Sequence, residues 1–228
     1  MEASAQANST TQQQAVSELS INEIFFSLQG ESTKVGLPTI FIRLSGCPLR
    51  CQYCDTEYAF HNGEKMSIDD IIQIISQYRT RHVTVTGGEP LAQYSCHELL
   101  SRLCDEGYQV SLETSGAIDI ANVDERVMKI VDIKTPASTE EDKNKFENLA
   151  YINNDDQIKF VICDQSDYEW SKQKLSELNL TDYCEVLFSP EHESLNSTDL
   201  ADWILEDGLD VRLQVQLHKY LWGNVPGK

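Results

Sequence analysis

The chain changes character at Ile21, where apolar residues begin to recur at regular spacings. Runs that alternate with period two, or that are apolar throughout and bounded by turn residues, predict strands at 21–28, 38–45, 82–86, 108–114, 128–134, 157–163, 183–188 and 209–216. In the second run Ile40, Ile42 and Leu44 fall on one face, with Phe41, Arg43 and Ser45 on the other. Helical spacing fills most of the gaps. Ser67 can cap a helix whose apolar face is Ile68, Ile71, Ile72, Ile75 and Tyr78. A second helix, from about Ser95 to Glu106, gathers Cys96, Leu99, Leu100 and Leu103 on one side and ends at Gly107. Further helices are expected at 142–151, 166–178 and 197–206. Strand and helix taking turns over this length predicts an α/β fold of parallel βα units in one domain, closing wholly or partly into a barrel.

Residues 1–18 stand apart from this pattern. They are rich in Ala, Ser, Thr, Asn and Gln and contain no Arg or Lys. Such a segment buries too little apolar surface to offset its ordering entropy, so a disordered tail is expected there, with one core domain over 19–228. The 228 residues carry a formal net charge of −19, which disfavours DNA or RNA as a partner and favours a small molecule or a protein. No apolar run is long enough to span a bilayer, and the N-terminal residues lack a signal-peptide pattern. A soluble cytoplasmic protein without a membrane partner is expected.

Four of the seven cysteines, Cys96, Cys104, Cys163 and Cys184, sit singly in apolar patterns and read as packing residues. The other three form Cys47-x3-Cys51-x2-Cys54 in a loop marked by Gly46 and Pro48. In a reducing compartment, clustered loop thiols point to metal rather than to disulfides. Structural zinc wants four ligands, usually two separated pairs; no second C-x2-C exists, although His61 could add a fourth donor. Iron–sulfur clusters also usually take four cysteines, so three on a four-iron cluster would leave one iron open for chemistry. Small and hydrogen-bonding residues collect at the expected strand ends: Gly87-Gly88-Glu89, Thr114-Ser115-Gly116, Lys134-Thr135-Pro136 and Ser189-Pro190-Glu191. They suit a large polar cofactor approaching the backbone, and they also suit ordinary turns.

The cysteine spacing after a strand, the aromatic Tyr53 before the last cysteine, and Gly87-Gly88-Glu89-Pro90 after the next strand resemble the radical S-adenosylmethionine superfamily. That resemblance implies a partial (β/α)6-type radical SAM barrel with an N-terminal strand extension and some helices shortened. It also implies a 4Fe-4S cluster on Cys47, Cys51 and Cys54, whose fourth iron chelates S-adenosyl-L-methionine for cleavage to a 5′-deoxyadenosyl radical. Gly87, Gly88 and Glu89 would seat the methionine amino group.

A narrower likeness covers nearly all of the chain from Ile21 to Gly227. Leu28-Gln29-Gly30-Glu31, Arg43, Cys54-Asp55-Thr56, Thr86 to Pro90, Glu113 to Gly116, Asp132 to Pro136 and Gln214 to Lys219 resemble the 7-carboxy-7-deazaguanine synthase family. The resemblance implies conversion of 6-carboxy-5,6,7,8-tetrahydropterin to 7-carboxy-7-deazaguanine with loss of ammonia, feeding queuosine biosynthesis. By that likeness Leu28, Gln29, Gly30, Arg43 and Thr86 bind the pterin substrate, and Thr56 binds Mg2+. Glu113, Ser115, Lys134, Thr135 and Pro136 would contact S-adenosylmethionine, although the family often has Ser-Pro-Lys where this chain has Lys134-Thr135-Pro136. Phe188, Ser189 and Pro190 would wall its adenine. The likeness further implies a homodimer and an external electron donor of the flavodoxin or ferredoxin type. Read without it, Arg43 is either a carboxylate clamp or a salt-bridge partner, Thr56 a turn cap, and His218 a pocket or a core histidine. Two other functions share the cysteines: an activating enzyme that places a glycyl radical on a protein, and a non-catalytic electron-transfer protein.

Overall fold

The computed structural model describes residues 17–225 and 227. Its first strand, β1 (Glu18–Leu28), pairs antiparallel with β2 (Pro38–Leu44) on one side and with β3 (Glu64–Ser67) on the other. From β2 onward the sheet is parallel, through β4 (His82–Gly87), β5 (Gln109–Thr114), β6 (Met128–Ile133), β7 (Gln157–Ile162), β8 (Glu185–Pro190) and β9 (Arg212–Leu213). Among the described residues the order β3-β1-β2-β4-β5-β6-β7-β8-β9 leaves β3 and β9 at the two edges, so the barrel is not closed. The expected α/β class, with its antiparallel N-terminal extension, is what the chain adopts.

The period-two alternation divides the two faces. Ile40, Ile42 and Leu44 are fully buried in a core with Val83, Val85 and Leu112 under α1 (Ile68–Ile75) and α2 (Cys96–Asp105). The other residues of the same strand, such as Arg43, face the barrel interior. Ser67 caps α1 as expected, accepting from Asp70 N at 3.1 Å. A second core collects Ile158, Phe160, Val186 and Phe188 beneath α3 (Gln165–Glu177) and α4 (Ser197–Asp207).

Between β6 and β7 the expected helix over 142–151 is replaced by 3-10 turns at Glu141–Lys143 and Phe146–Tyr151. Two asparagines divert the backbone, because their amides satisfy groups distant in sequence rather than leaving a regular ladder to form. Asn148 donates to Gly116 O at 3.1 Å and Ile118 O at 2.9 Å, and accepts from Ile120 N at 3.2 Å. Asn144 donates to Lys134 O and accepts from Lys134 N, both at 2.8 Å. These bonds fasten the helix-free connections to the strand ends that face the cavity. Asn148→Ala leaves Ile118 O and Ile120 N unpaired, while Gly116 O keeps its bond from Lys145 N, and should lower stability by about 2–4 kcal/mol. Urea unfolding measures this, and a loss under ~0.5 kcal/mol would show that Asn148 does not hold the connection.

The strand expected over 209–216 shortens to Arg212–Leu213; Gln214 N makes the last ladder bond, to Phe188 O at 2.9 Å, before the chain turns into α5 (Leu217–Trp222). The strand expected at 183–188 is shifted to Glu185–Pro190, because 180–182 forms a 3-10 turn. Of the tail expected over 1–18, residues 1–16 lie outside those described, and Glu18 already pairs with Ser67 in β1. No helix among the described residues is long and apolar enough to cross a membrane.

Candidate active site at the carboxyl ends of the strands

The parallel strands end around one cavity of about 930 Å³. The loop after β2 supplies Cys47, Cys51, Cys54 and Thr56 to its wall. The end of β1 and its turn supply Leu28, Gln29 and Gly30, and β2 supplies Arg43. Thr86, Gly87, Gly88, Glu113, Ser115 and Lys134 follow along β4 to β6, and Ser189 and Pro190 close the far strand. Four expected contacts stand behind this wall. Phe188 is fully buried in the second core, edge-on to Phe160 with ring centroids 5.5 Å apart. Pro136 is not among the lining residues. Thr135 is fully buried, its hydroxyl 3.0 Å from Val161 O and Asp167 Oδ2. Glu89 is also fully buried and accepts from Leu91 N, Ser115 N and the hydroxyls of Thr114 and Ser115 at 2.5–3.0 Å. Its carboxylate therefore ties the end of β4 to the end of β5 and meets the cavity through Ser115.

The cysteine loop is held from several sides. Gly88 N donates to Leu44 O at 3.2 Å and Glu89 N to Gly46 O at 2.9 Å, which docks the end of β4 against the root of the loop. That approach needs glycine: a Cβ on Gly87 would stand 2.4 Å from Leu44 O, and one on Gly88 2.3 Å from Gly46 O and 2.7 Å from Cys47 Cβ. Arg50 donates to Cys47 O at 2.8 Å and to Leu49 O at 2.6 Å, with its guanidinium 4.4 Å from the Phe60 ring centroid.

All three thiols are free and half-buried. Burial pushes Cys51 up to about 11 despite the nearby Lys134 ammonium, and it raises Cys47 and Cys54 as well. They are protonated at neutral pH, so taking up a metal must release protons. Among the described residues no three His, Cys, Asp or Glu side chains surround a single ion, and His61 is exposed and outside the cavity wall. The donor set is thus three soft sulfurs spread along one wall, which suits a cluster bound at its corners and not a four-ligand zinc ion.

Arg43 answers both readings of its sequence position. Its Nε donates to Glu23 Oε1 at 2.7 Å, and its guanidinium carbon lies 5.8 Å from the ring centroids of both Phe25 and Tyr58, while the side chain still borders the cavity. Tyr58 donates to the same Glu23 oxygen at 2.9 Å. Thr56 makes no side-chain cap to the turn it precedes and instead donates to Asp55 Oδ1 at 2.8 Å. Burial works to raise the Asp55 carboxyl, but the Lys219 ammonium 3.0 Å away holds it well below the usual range. Thr86 donates to Glu113 Oε2 at 2.9 Å, and Gln29 donates to Thr84 Oγ1 at 3.0 Å.

Sequence reasoning missed several cavity residues. Lys159 pairs with Glu31 at 2.5 Å, and Asp132 lies beside both Lys159 and Lys134. The signal for Lys159 was available: it is the one charge in the apolar run Gln157 to Ile162, on an inward position. Burial would lower its ammonium and raise Glu31, yet Glu31, Asp132 and Glu113 together hold Lys159 protonated, and Lys159, Gln216 and His218 together hold Glu31 ionised. Glu113 moves the other way, raised first by burial and then by Glu31. His218 enters the wall because Gly30 has no side chain; a Cβ there would stand 2.0 Å from His218 Nδ1. Cys163, expected as a packing residue, reaches the cavity just past the end of β7.

Residues 41–137 match the family model described as the radical SAM superfamily. The chain is 43% identical over 219 residues to a 7-carboxy-7-deazaguanine synthase of Koribacter versatilis, covering 90% of this chain and 97% of that one. It is 42% identical over 207 residues to the enzyme of the same description from Chlorobaculum tepidum, covering 90% and 94%. Among solved structures, QueE from Escherichia coli matches with a TM-score of 0.74 at 26% identity, covering 88% of this chain and 95% of that chain. Streptococcus suis SuiB bound to S-adenosylmethionine shares the fold alone, with a TM-score of 0.57 at 17% identity over 75% of this chain and 48% of its own.

Proposed function

Since this chain belongs to the 7-carboxy-7-deazaguanine synthase family of the radical SAM superfamily, we propose that its cavity converts 6-carboxy-5,6,7,8-tetrahydropterin to 7-carboxy-7-deazaguanine with release of ammonia. It is a carbon–nitrogen lyase of queuosine biosynthesis. The observation that carries this reading is the meeting of three walls on one cavity: the cysteine loop, the Gly87-Gly88 strand end, and the Gln29, Arg43 and Thr86 side chains.

Cys47, Cys51 and Cys54 would hold a 4Fe-4S cluster, which when bound supplies the electron that cleaves S-adenosylmethionine to a carbon radical. Gly87 and Gly88 border the cavity beside Cys47, where the methionine end of that cofactor would lie. Ser115, fixed by Glu89, and the protonated Lys134 offer a hydroxyl and an ammonium to its polar groups, while Ser189 and Pro190 border the cavity from β8. Thr135, Pro136 and Phe188 support these walls from behind.

Arg43 presents its guanidinium to the substrate carboxylate, with Glu23 and the two flanking rings fixing its plane. Thr56 gives its hydroxyl proton to Asp55, which leaves its oxygen lone pairs free for a hard cation such as Mg2+. Gln29, Leu28 and Gly30 border the pterin, and His218 and Gln216 screen it from water. An external one-electron donor of the flavodoxin or ferredoxin type, a homodimer and a cytoplasmic setting complete the reading. The exposed Tyr220, Leu221 and Trp222 of α5 offer a second copy an apolar face.

The test is anaerobic cluster reconstitution followed by incubation with reductant, S-adenosylmethionine, Mg2+ and 6-carboxytetrahydropterin. Formation of 7-carboxy-7-deazaguanine is expected. Cluster-loaded protein that cleaves S-adenosylmethionine yet makes no such product would remove the substrate assignment and leave the superfamily chemistry standing.

A further inference from the structure

Inside the cavity two lysine ammoniums share one carboxylate. Asp132 and Lys134 are two residues apart at the end of β6, and Lys159 stands opposite Asp132 in the register of β6 with β7. Lys134 Nζ lies 3.1 Å from Asp132 Oδ1, and Lys159 Nζ lies 3.8 Å from Asp132 Oδ2. Lys159 also meets Glu31 Oε2 at 2.5 Å, while Gln216 donates to the other Glu31 oxygen at 2.8 Å. The four charged side chains are 11–19% exposed, so none of these charges is sustained by water alone.

The two lysines serve different parts of the site. Lys134 lines the cavity wall together with Cys47, Cys51 and Cys54. Lys159 is tied instead to the turn that carries Gln29 and Gly30. A lysine ammonium sits on a flexible four-carbon stem, and it points somewhere definite only when an acceptor fixes it. Among the described residues Lys134 has one carboxylate within ion-pair distance, Asp132. Without that carboxylate Lys134 loses its acceptor, and Lys159, 3.8 Å from Asp132 and 2.5 Å from Glu31, is left to Glu31 alone.

We propose that Asp132 is a positioning residue whose two oxygens aim Lys134 at S-adenosylmethionine and Lys159 at the pterin, so that one side chain sets both halves of the site. The proposal rests on the function given above. Asp132→Asn keeps the shape and removes the shared charge. Two titrations of cluster-loaded protein read the consequence. The electron paramagnetic resonance signal of the reduced cluster, followed against added S-adenosylmethionine, gives the cofactor affinity. The fluorescence of 6-carboxypterin, the stable oxidised analogue, gives the substrate-side affinity.

Asp132→Asn should weaken both ligands about tenfold. Lys134→Met should weaken S-adenosylmethionine only, and Lys159→Met the pterin only. The proposal is overturned if Asp132→Asn weakens one ligand or neither, or if each lysine variant weakens both ligands alike, which is the pattern of general loosening. Unaltered protein that binds S-adenosylmethionine but not 6-carboxypterin would defeat the substrate reading and the Lys159 half with it. The cofactor titration would still decide the Lys134 half.

Discussion

Cys51→Ala should reduce formation of 7-carboxy-7-deazaguanine to background, a loss of at least about 10³-fold, or more than ~4 kcal/mol of barrier. Cys51 is the middle cysteine of the motif and lines the cavity wall with the other two. Removing it leaves two sulfurs where the family chemistry needs three, so the iron content of reconstituted protein should fall together with activity. The necessary comparison is Cys96→Ala. Cys96 is fully buried in the first core, 0% exposed and outside the cavity wall, so its loss costs about 1 kcal/mol of stability and leaves turnover within about twofold. Iron content and product formation measured side by side in the two variants decide the ligand assignment. A Cys96 variant without iron, or a Cys51 variant with full activity, would overturn it.

Gly88→Ala should cost at least about 100-fold in activity, although it adds only one methyl group. The added carbon would lie 2.3 Å from Gly46 O and 2.7 Å from Cys47 Cβ, distances that backbone atoms cannot absorb without moving. The loop root must shift away from β4, carrying Cys47 with it and breaking the bond from Glu89 N to Gly46 O. Both consequences fall on the cysteine wall, so iron retention should drop while the far core under α3 and α4 stays packed. Near-ultraviolet circular dichroism of Trp170 and Trp203, which pack against that core, separates a local shift from general unfolding. Full iron content and full activity in Gly88→Ala would mean that the loop does not need this close approach.

What the sequence revealed, and what it hid, follows from the range of the interactions. The strands of the sheet and the Ser67-capped helix are written in local spacing, because each is decided by which residues alternate or recur within a few positions. The cysteine loop was legible for the same reason. The helix expected over 142–151 failed because Asn144 and Asn148 bond to residues about 10 to 32 positions away, which no local window contains. The edge strand β3 was missed because Glu64-Lys65-Met66-Ser67 has no alternation; it forms through pairing with β1. At the site, reading strand ends as consecutive triplets admitted residues that the pleat turns away. Phe188 points into the second core while Ser189 and Pro190 border the cavity, and Glu89 points to Ser115 while Gly87 and Gly88 face the cysteine loop. Lys159 and Asp132 acquire meaning only as a pair across adjacent strands, and that register is a property of the folded sheet.

The distribution of charge bears on how an anionic substrate arrives. Lys134 and Lys159 are two of the chain's 18 basic residues, and each is paired with a carboxylate inside the cavity. A carboxylated pterin approaching the molecule therefore crosses a strongly negative exterior before it meets the cations that hold it. Long-range forces oppose the encounter while short-range forces favour the bound state. Added salt screens the first over a Debye length of about 10 Å at 0.1 M and leaves the second largely intact. The encounter rate of such a substrate with this protein accordingly rises with ionic strength, opposite to the behaviour of enzymes that steer their substrates electrostatically.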